Sequence, residues 1–218
     1  MGFAVVIAGG DVPESRLLDG LADAELVVAA DAGVRTARTH GLPIHIVVGD
    51  LDSASEGDLA WARAEGAEIF EYPSDKDETD LELALGHADA DVDLIVVVGI
   101  TGGRLDHELG NWAAVCAPRQ AWVEARTSSG SATIMHGNAH QRLELEGVNG
   151  EVVSLVPQLG PVHGVTTTGL RWPLHEATLL PHRAQGISNE FDGTSAVVEI
   201  ANGVLMVVRP HPPVVTAR

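Results

Sequence analysis

The stretch IHIVVGDLDS, Ile44–Ser53, decides the fold. Its β-branched apolar run reads as a strand, and it ends in two aspartates one residue apart, Asp50 and Asp52, where a loop begins. On an extended strand alternate side chains point the same way at about 3.3 Å rise per residue, so both carboxylates would share one face roughly 7 Å apart. At an effective dielectric of about 20 their repulsion costs about 2 kcal/mol unless a cation lies between them. The polar segment SEGDLAWARAEG follows and reads as a helix.

Working outward, the same strand-then-helix alternation recurs through residues 1–126. FAVVIA precedes ESRLLDGLADA, LVVAAD precedes VRTARTHG, EIFEY precedes DETDLELALGHA, and DLIVVVG precedes RLDHELGNWAAVCA. Strict alternation predicts right-handed crossovers and an α/β domain built on a parallel sheet, with helices on both faces. Ligands of such sheets bind outside the carboxyl ends of the strands. Beyond that point ATIMHG, QRLELEG, EVVSLVP, VHGVTTTG, ATLLP, SAVVEIANG and VLMVVRP are short, alternating and separated by Gly, Asn or Pro. They predict an all-β antiparallel sandwich over residues 127–210, entered through TSSGS, Thr127–Ser131, with residues 211–218 as a Pro-rich flexible tail.

Composition narrows the function. Thirteen Lys and Arg against 31 Asp and Glu give a formal net charge of −18, which argues against nucleic acid and anionic membranes as partners. The opening MGFAVVIAGG reads as a first strand without a basic leader, and no run approaches the ~20 apolar residues of a membrane span, so a cytoplasmic location is expected. Cys116 reads as a buried thiol on a packed helix. Lys76 is the only lysine, a bias read as compositional.

Four acidic clusters follow successive predicted strands: Asp31; Asp50 with Asp52; Asp75, Asp77 and Asp80; and Asp106. The topology brings these loops to one edge of the sheet. Asp77 and Asp80 alone also read as a helix-capping arrangement. Together the acids select a hard cation such as Mg²⁺, which is completed by substrate phosphates and so suggests a nucleoside triphosphate. The chain has neither GxxxxGK[ST] nor GxGxxG, but GITGGRLDH, Gly99–His107, offers Gly102 and Gly103 for close backbone approach and Arg104 as a phosphate fork. His136 and His140 in HGNAH lack both helical context and a following glutamate, so no zinc site is read there.

The ordered set VVAADAG, GDLDS, DKDETD and GGRLDH, followed by VTTTGLRWPL and GISNEF, resembles the thiamine pyrophosphokinase family from about Val28 to Val208. The resemblance implies ATP-dependent pyrophosphoryl transfer to thiamine with Mg²⁺, in a homodimer whose active site lies at the subunit interface. It implies that Asp50, Asp52 and Asp80 hold metal and, with Arg104, carry catalysis. By the same resemblance, Asp31, Ser53, Asp77, Thr79, Gly103, Arg104 and Asp106 bind nucleotide, while Trp172, Ser188 and Asn189 bind thiamine. Ala32 departs from the family, which has the first glycine of Asp-Gly-Gly at that position. The alternatives are a pyrophosphokinase of the same fold acting on another hydroxymethyl heterocycle such as a pterin, and a catalytically inactive nucleotide or thiamine sensor.

Overall fold

A computed structural model of the chain describes residues 2–89 and 92–210. The expected tail, 211–218, lies outside the described residues. The chain divides into two compact units, one ending at Ser128 and the other starting at Ser129. Among the described residues no helix is long and apolar enough to cross a membrane.

The first unit contains strands β1 (Phe3–Ile7), β2 (Leu26–Ala30), β3 (Ile46–Gly49), β4 (Glu68–Glu71), β5 (Leu94–Val98) and β6 (Trp122–Thr127). Its helices are α1 (Gly33–His40), α2 (Glu56–Ala64), α3 (Asp80–Ala88) and α4 (Leu105–Val115). The strands pair in parallel in the order β4-β3-β2-β1-β5-β6. The central strands are buried on both faces, which is why FAVVI, LVVAA and LIVVV read as unbroken apolar runs. One face packs Val5, Ile7, Val27, Ala29, Val47 and Val96 against Val34 and Ala37 of α1 and Leu59 and Ala62 of α2. On β1, β2 and β3 rests α3, whose Leu81, Ala84, Leu85 and Ala88 are all buried.

Order β4-β3-β2-β1 runs one way from β1, and β5-β6 the other, so the chain reverses direction across the sheet between β4 and β5. A crevice forms at such a switch, where neighbouring strand-end loops diverge. The α/β plus all-β class is as expected. Locally, ESRLLDGLADA is not the expected helix but two 3₁₀ turns, Ser15–Leu18 and Leu21–Asp23, parted by Gly20 at φ 78°. Strand β6 was not foreseen, because the charges within WVEART hide its alternation, in which every second residue is buried.

The second unit is antiparallel: β7 (Gly130–His136), β8 (Arg142–Glu146), β9 (Val152–Thr168), β10 (Ala177–Leu179), β11 (Asn189–Glu190), β12 (Ser195–Glu199) and β13 (Asn202–Pro210). They pair in the order β7-β13-β9-β12-β8, with β10 and β11 also on β9. The two strands expected from EVVSLVP and VHGVTTTG are one strand, β9. Its pairing with β13 runs through Ser154–Gln158 and slips at Leu159 (φ 55°) and Gly160, after which Thr166–Thr168 pair with β12. One bent strand therefore serves both ladders of the sandwich.

Asp58 on α2 ties the two helices of one face together. It is 6% exposed, accepts from the Ser55 hydroxyl at 2.6 Å and from Arg38 Nη1 at 3.0 Å, and has Arg35 at 3.7 Å. Burial pushes its carboxyl up, but the Ser55 hydroxyl and the Arg38 guanidinium outweigh burial, and it titrates below the ordinary 3.8. A carboxylate depressed in the folded state adds stability above its unfolded pKa and loses it as pH falls through the folded value. Asp58→Asn is expected to cost about 1–3 kcal/mol near neutrality. In urea titrations at a series of pH values, the gap to the parent should close progressively below about pH 4.

Candidate active site

A cleft of about 640 Å³ opens in the first unit at the carboxyl ends of its strands. Its walls come from the loops after β1 (Gly9, Gly10, Asp11), β2 (Asp31, Ala32), β3 (Asp50, Asp52, Ser53), β4 (Lys76, Thr79, Asp80) and β5 (Gly102, Gly103, Arg104, Asp106). Loops far apart in sequence, from Gly9 to Asp106, converge because parallel strands all end at the same edge.

The centre is a carboxylate trio. Asp31, Asp50 and Asp80 each direct an oxygen so that the three atoms lie within 4.8 Å of one another. Among the described residues no other His, Cys, Asp or Glu group of three is so placed. Expected metal ligands were Asp50, Asp52 and Asp80; the trio that assembles has Asp31 in the place of Asp52. The reason is local. Strand β3 stops at Gly49, and Leu51 adopts φ 63°, so Asp50 and Asp52 do not alternate along an extended strand. Instead the Asp52 N–H donates back to Asp50 Oδ1 at 3.3 Å, and the Asp52 carboxylate accepts from the Ser53 hydroxyl at 2.8 Å.

Two local devices aim the trio. Gly49, at φ 146°, leaves room for the acids: a Cβ there would lie 3.0 Å from Asp80 Cγ and 3.2 Å from Asp31 Cβ. Asp80 is the first residue of α3, whose start is fixed by a capping box: Thr79 Oγ1 accepts from the Glu82 N–H at 3.2 Å, and the Thr79 N–H donates to Glu82 Oε2 at 2.7 Å. The cap is thus Thr79 with Glu82, and not Asp77 with Asp80. Thr79, expected to bind nucleotide, has its hydroxyl engaged in that cap, and Asp77 is exposed and outside the cleft lining.

Charge is concentrated here. Asp31 is 8% exposed, adopts φ 44°, and its Oδ1 is buried with no hydrogen-bond partner. Burial raises its pKa above 3.8, Asp80 and Asp52 push the same way, and the Ser53 hydroxyl opposes them. Asp50 is shifted down, chiefly by the N–H of Asp52. A buried carboxylate with one unpartnered oxygen, grouped with two further carboxylates, suits a hard divalent cation, which prefers oxygen donors. Ala32 is unstrained at φ −59°, ψ −13°, so the backbone does not require glycine there. The following Gly33 is indispensable, since a Cβ would collide with the Ile7 carbonyl of β1.

On the opposite wall Arg104 presents both nitrogens of its fork to Asp106, Nε to Oδ1 at 3.1 Å and Nη2 to Oδ2 at 2.6 Å. This pairing holds the Asp106 carboxyl down to about 2. Residues that sequence reasoning passed over also line the cleft: Gly9, Gly10 and Asp11 after β1, Asn111 of α4, and Lys76. The AGGD run carries a signal in its position, since it follows the first strand at the edge where ligands bind. Lys76 gives none, because a lone lysine reads as composition.

Trp172, Ser188 and Asn189 belong to the second unit. Trp172 is 52% exposed, with the Arg171 guanidinium 5.0 Å from its ring centroid. Asn189 is buried and engaged on backbone: Nδ2 donates to the Trp172 carbonyl at 2.7 Å, and Oδ1 accepts from the N–H groups of Trp172 at 3.1 Å and Glu190 at 2.9 Å. Asn189 clasps the tryptophan loop. Ser188 is exposed at φ 58° and donates its N–H to Ser154 Oγ at 3.0 Å.

Two family models match the chain. That of the thiamin pyrophosphokinase catalytic domain covers residues 18–125, and that of the thiamin pyrophosphokinase vitamin B1 binding domain covers residues 140–205. Thiamine pyrophosphokinase of Bacillus subtilis (strain 168) is 29% identical over 207 residues, 94% of this chain and 96% of that protein. A crystal structure of thiamine pyrophosphokinase from Bacillus subtilis superimposes with a TM-score of 0.78 at 26% identity, covering 95% of this chain and 98% of that one. Thiamin pyrophosphokinase from Candida albicans has the same fold, with a TM-score of 0.77 at 15% identity over 95% of this chain and 90% of that one. The chain is an enzyme of the pyrophosphokinase class. It belongs to the thiamine pyrophosphokinase family.

Proposed function

We propose that the chain transfers the β,γ-pyrophosphoryl group of ATP to the hydroxyl of thiamine, yielding thiamine diphosphate and AMP. The hydroxyl oxygen bonds to the β-phosphorus, the bond from that phosphorus to the bridging α,β-oxygen breaks, and the oxygen leaves on AMP; the hydroxyl proton goes to solvent. The observation that carries this reading is the carboxylate trio of Asp31, Asp50 and Asp80 in the cleft, within the segment matched by the catalytic-domain model. Asp31, Asp50 and Asp80 would hold Mg²⁺, whose bound charge offsets that developing on the phosphate oxygens. Asp52, with Ser53 on its carboxylate, lines the same wall and adds to the negative field that retains the cation.

Arg104 exchanges Asp106 for phosphate oxygens, keeping a bidentate geometry that an ammonium cannot copy. Gly102 and Gly103 leave the backbone open beside it. In the second unit the exposed indole of Trp172, whose backbone is held by Asn189, offers a face to the thiazolium cation, with Ser188 next to Asn189 in sequence. The enzyme acts as a homodimer in which Trp172 of one subunit serves the carboxylate trio of the other. Two features support this: an indole left half exposed in the chain, and a vitamin B1 binding model distinct from the catalytic one.

Incubation with ATP, Mg²⁺ and thiamine is expected to give AMP and thiamine diphosphate in equal amounts, resolved by liquid chromatography, and Asp80→Asn to lower turnover roughly 10²-fold or more. ADP with thiamine monophosphate, or no product, would contradict the assignment. For the shared site, inactive Asp80→Asn and Trp172→Ala subunits are mixed equally and refolded. Half the dimers are then mixed and carry one intact site, so about a quarter of the parental activity should return. No recovery after proven subunit exchange would place each site within one chain.

A further inference from the structure

Lys76 is the single lysine of a chain that otherwise uses arginine for its basic side chains, and it lies in the cleft. Its side chain is 12% exposed, with Nζ 3.0 Å from Asp80 Oδ1 and 3.3 Å from the Pro73 carbonyl. Six aspartates line the cleft, and the other permanently charged base there, Arg104, is engaged with Asp106 on the exposed rim. Lys76 is therefore the cation that faces the trio.

An ammonium on Asp80 and a divalent cation at the trio would share one carboxylate and repel each other at that range. When the metal arrives the ammonium must find another anionic partner inside the cleft, and a triphosphate brings one. Lysine suits an exchange of this kind: its charge is compact, its donors rotate and its stem is flexible.

We propose that Lys76 is a substrate-contacting residue with two successive partners: it neutralises the carboxylate trio before the metal binds, and moves to the phosphate oxygens of the nucleotide once the metal holds Asp80. This rests on the metal and nucleotide reading above. It makes an unusual demand, because one substitution must tighten one ligand and weaken the other.

The test compares the parent with Lys76→Met, Lys76→Gln and Lys76→Arg. Mn²⁺ binding to the nucleotide-free protein is read by electron paramagnetic resonance, and α,β-methylene-ATP binding with Mg²⁺ by calorimetry. Lys76→Met and Lys76→Gln are expected to bind Mn²⁺ about tenfold more tightly and the Mg²⁺-nucleotide about tenfold or more weakly. Both should melt below the parent in chelator and recover the deficit with Mn²⁺. Lys76→Arg keeps the charge, and its Mn²⁺ affinity should stay near the parental value. If the parent binds both ligands and Lys76→Gln leaves either affinity unchanged, or shifts both in the same direction, the role of Lys76 is wrong while the proposed reaction stands. If the parent binds neither Mn²⁺ nor the Mg²⁺-nucleotide, the functional reading and this one fall together.

Discussion

Three carboxylate oxygens within 4.8 Å of one another, from Asp31, Asp50 and Asp80, repel one another unless positive charge is brought among them. Around that constraint the first unit is organised. The sheet supplies the convergence, since its parallel strands all deliver their following loops to one edge. Gly49 removes the Cβ that would wedge Asp31 and Asp80 apart, and the Thr79 and Glu82 cap fixes where α3 begins and so where Asp80 points. Lys76 provides one positive charge from within the chain. The apolar layers below, from Val5 and Val27 to Leu85, hold the loop bases still and let the loops carry the chemistry.

The second unit solves a different problem. A half-exposed indole on a loop is a poor element for stability, yet the Trp172 backbone is held at both its N–H and its carbonyl by Asn189. Arg171 lies over the ring and pairs with Glu190 at 2.7 Å, adding a lateral restraint. Rigid presentation of an exposed aromatic is what the proposed stacking of thiazolium on Trp172 would require.

Most of the fold was legible because the central parallel strands are buried on both faces and read as unbroken apolar runs rich in valine. The failures have physical causes. Gly20 interrupts the stretch that reads as one helix, and the charges of β6 conceal a two-residue period. In β9, Leu159 and Gly160 look like a chain reversal but make only an irregularity within one strand. At the site, the acidic loops and their convergence were readable from strand ends, whereas the membership of the trio was not. It depends on the left-handed turn at Leu51, which sets Asp52 aside and leaves Asp31 beside Asp50 and Asp80. The side chain of Asn189 holds the backbone of the Trp172 loop, a role that SNEF does not reveal in the sequence. Lys76 was hidden by its rarity, because a single lysine among many arginines looks like composition until its neighbours are known.

The most direct test of the central claim is anomalous diffraction from crystals soaked in Mn²⁺ at the manganese edge. A peak at about 2.1–2.3 Å from one oxygen each of Asp31, Asp50 and Asp80 is the expected result, with Asp52 farther from the ion. A peak bound by Asp50 and Asp52 without Asp31, or no peak in the cleft at saturating Mn²⁺, would contradict the account.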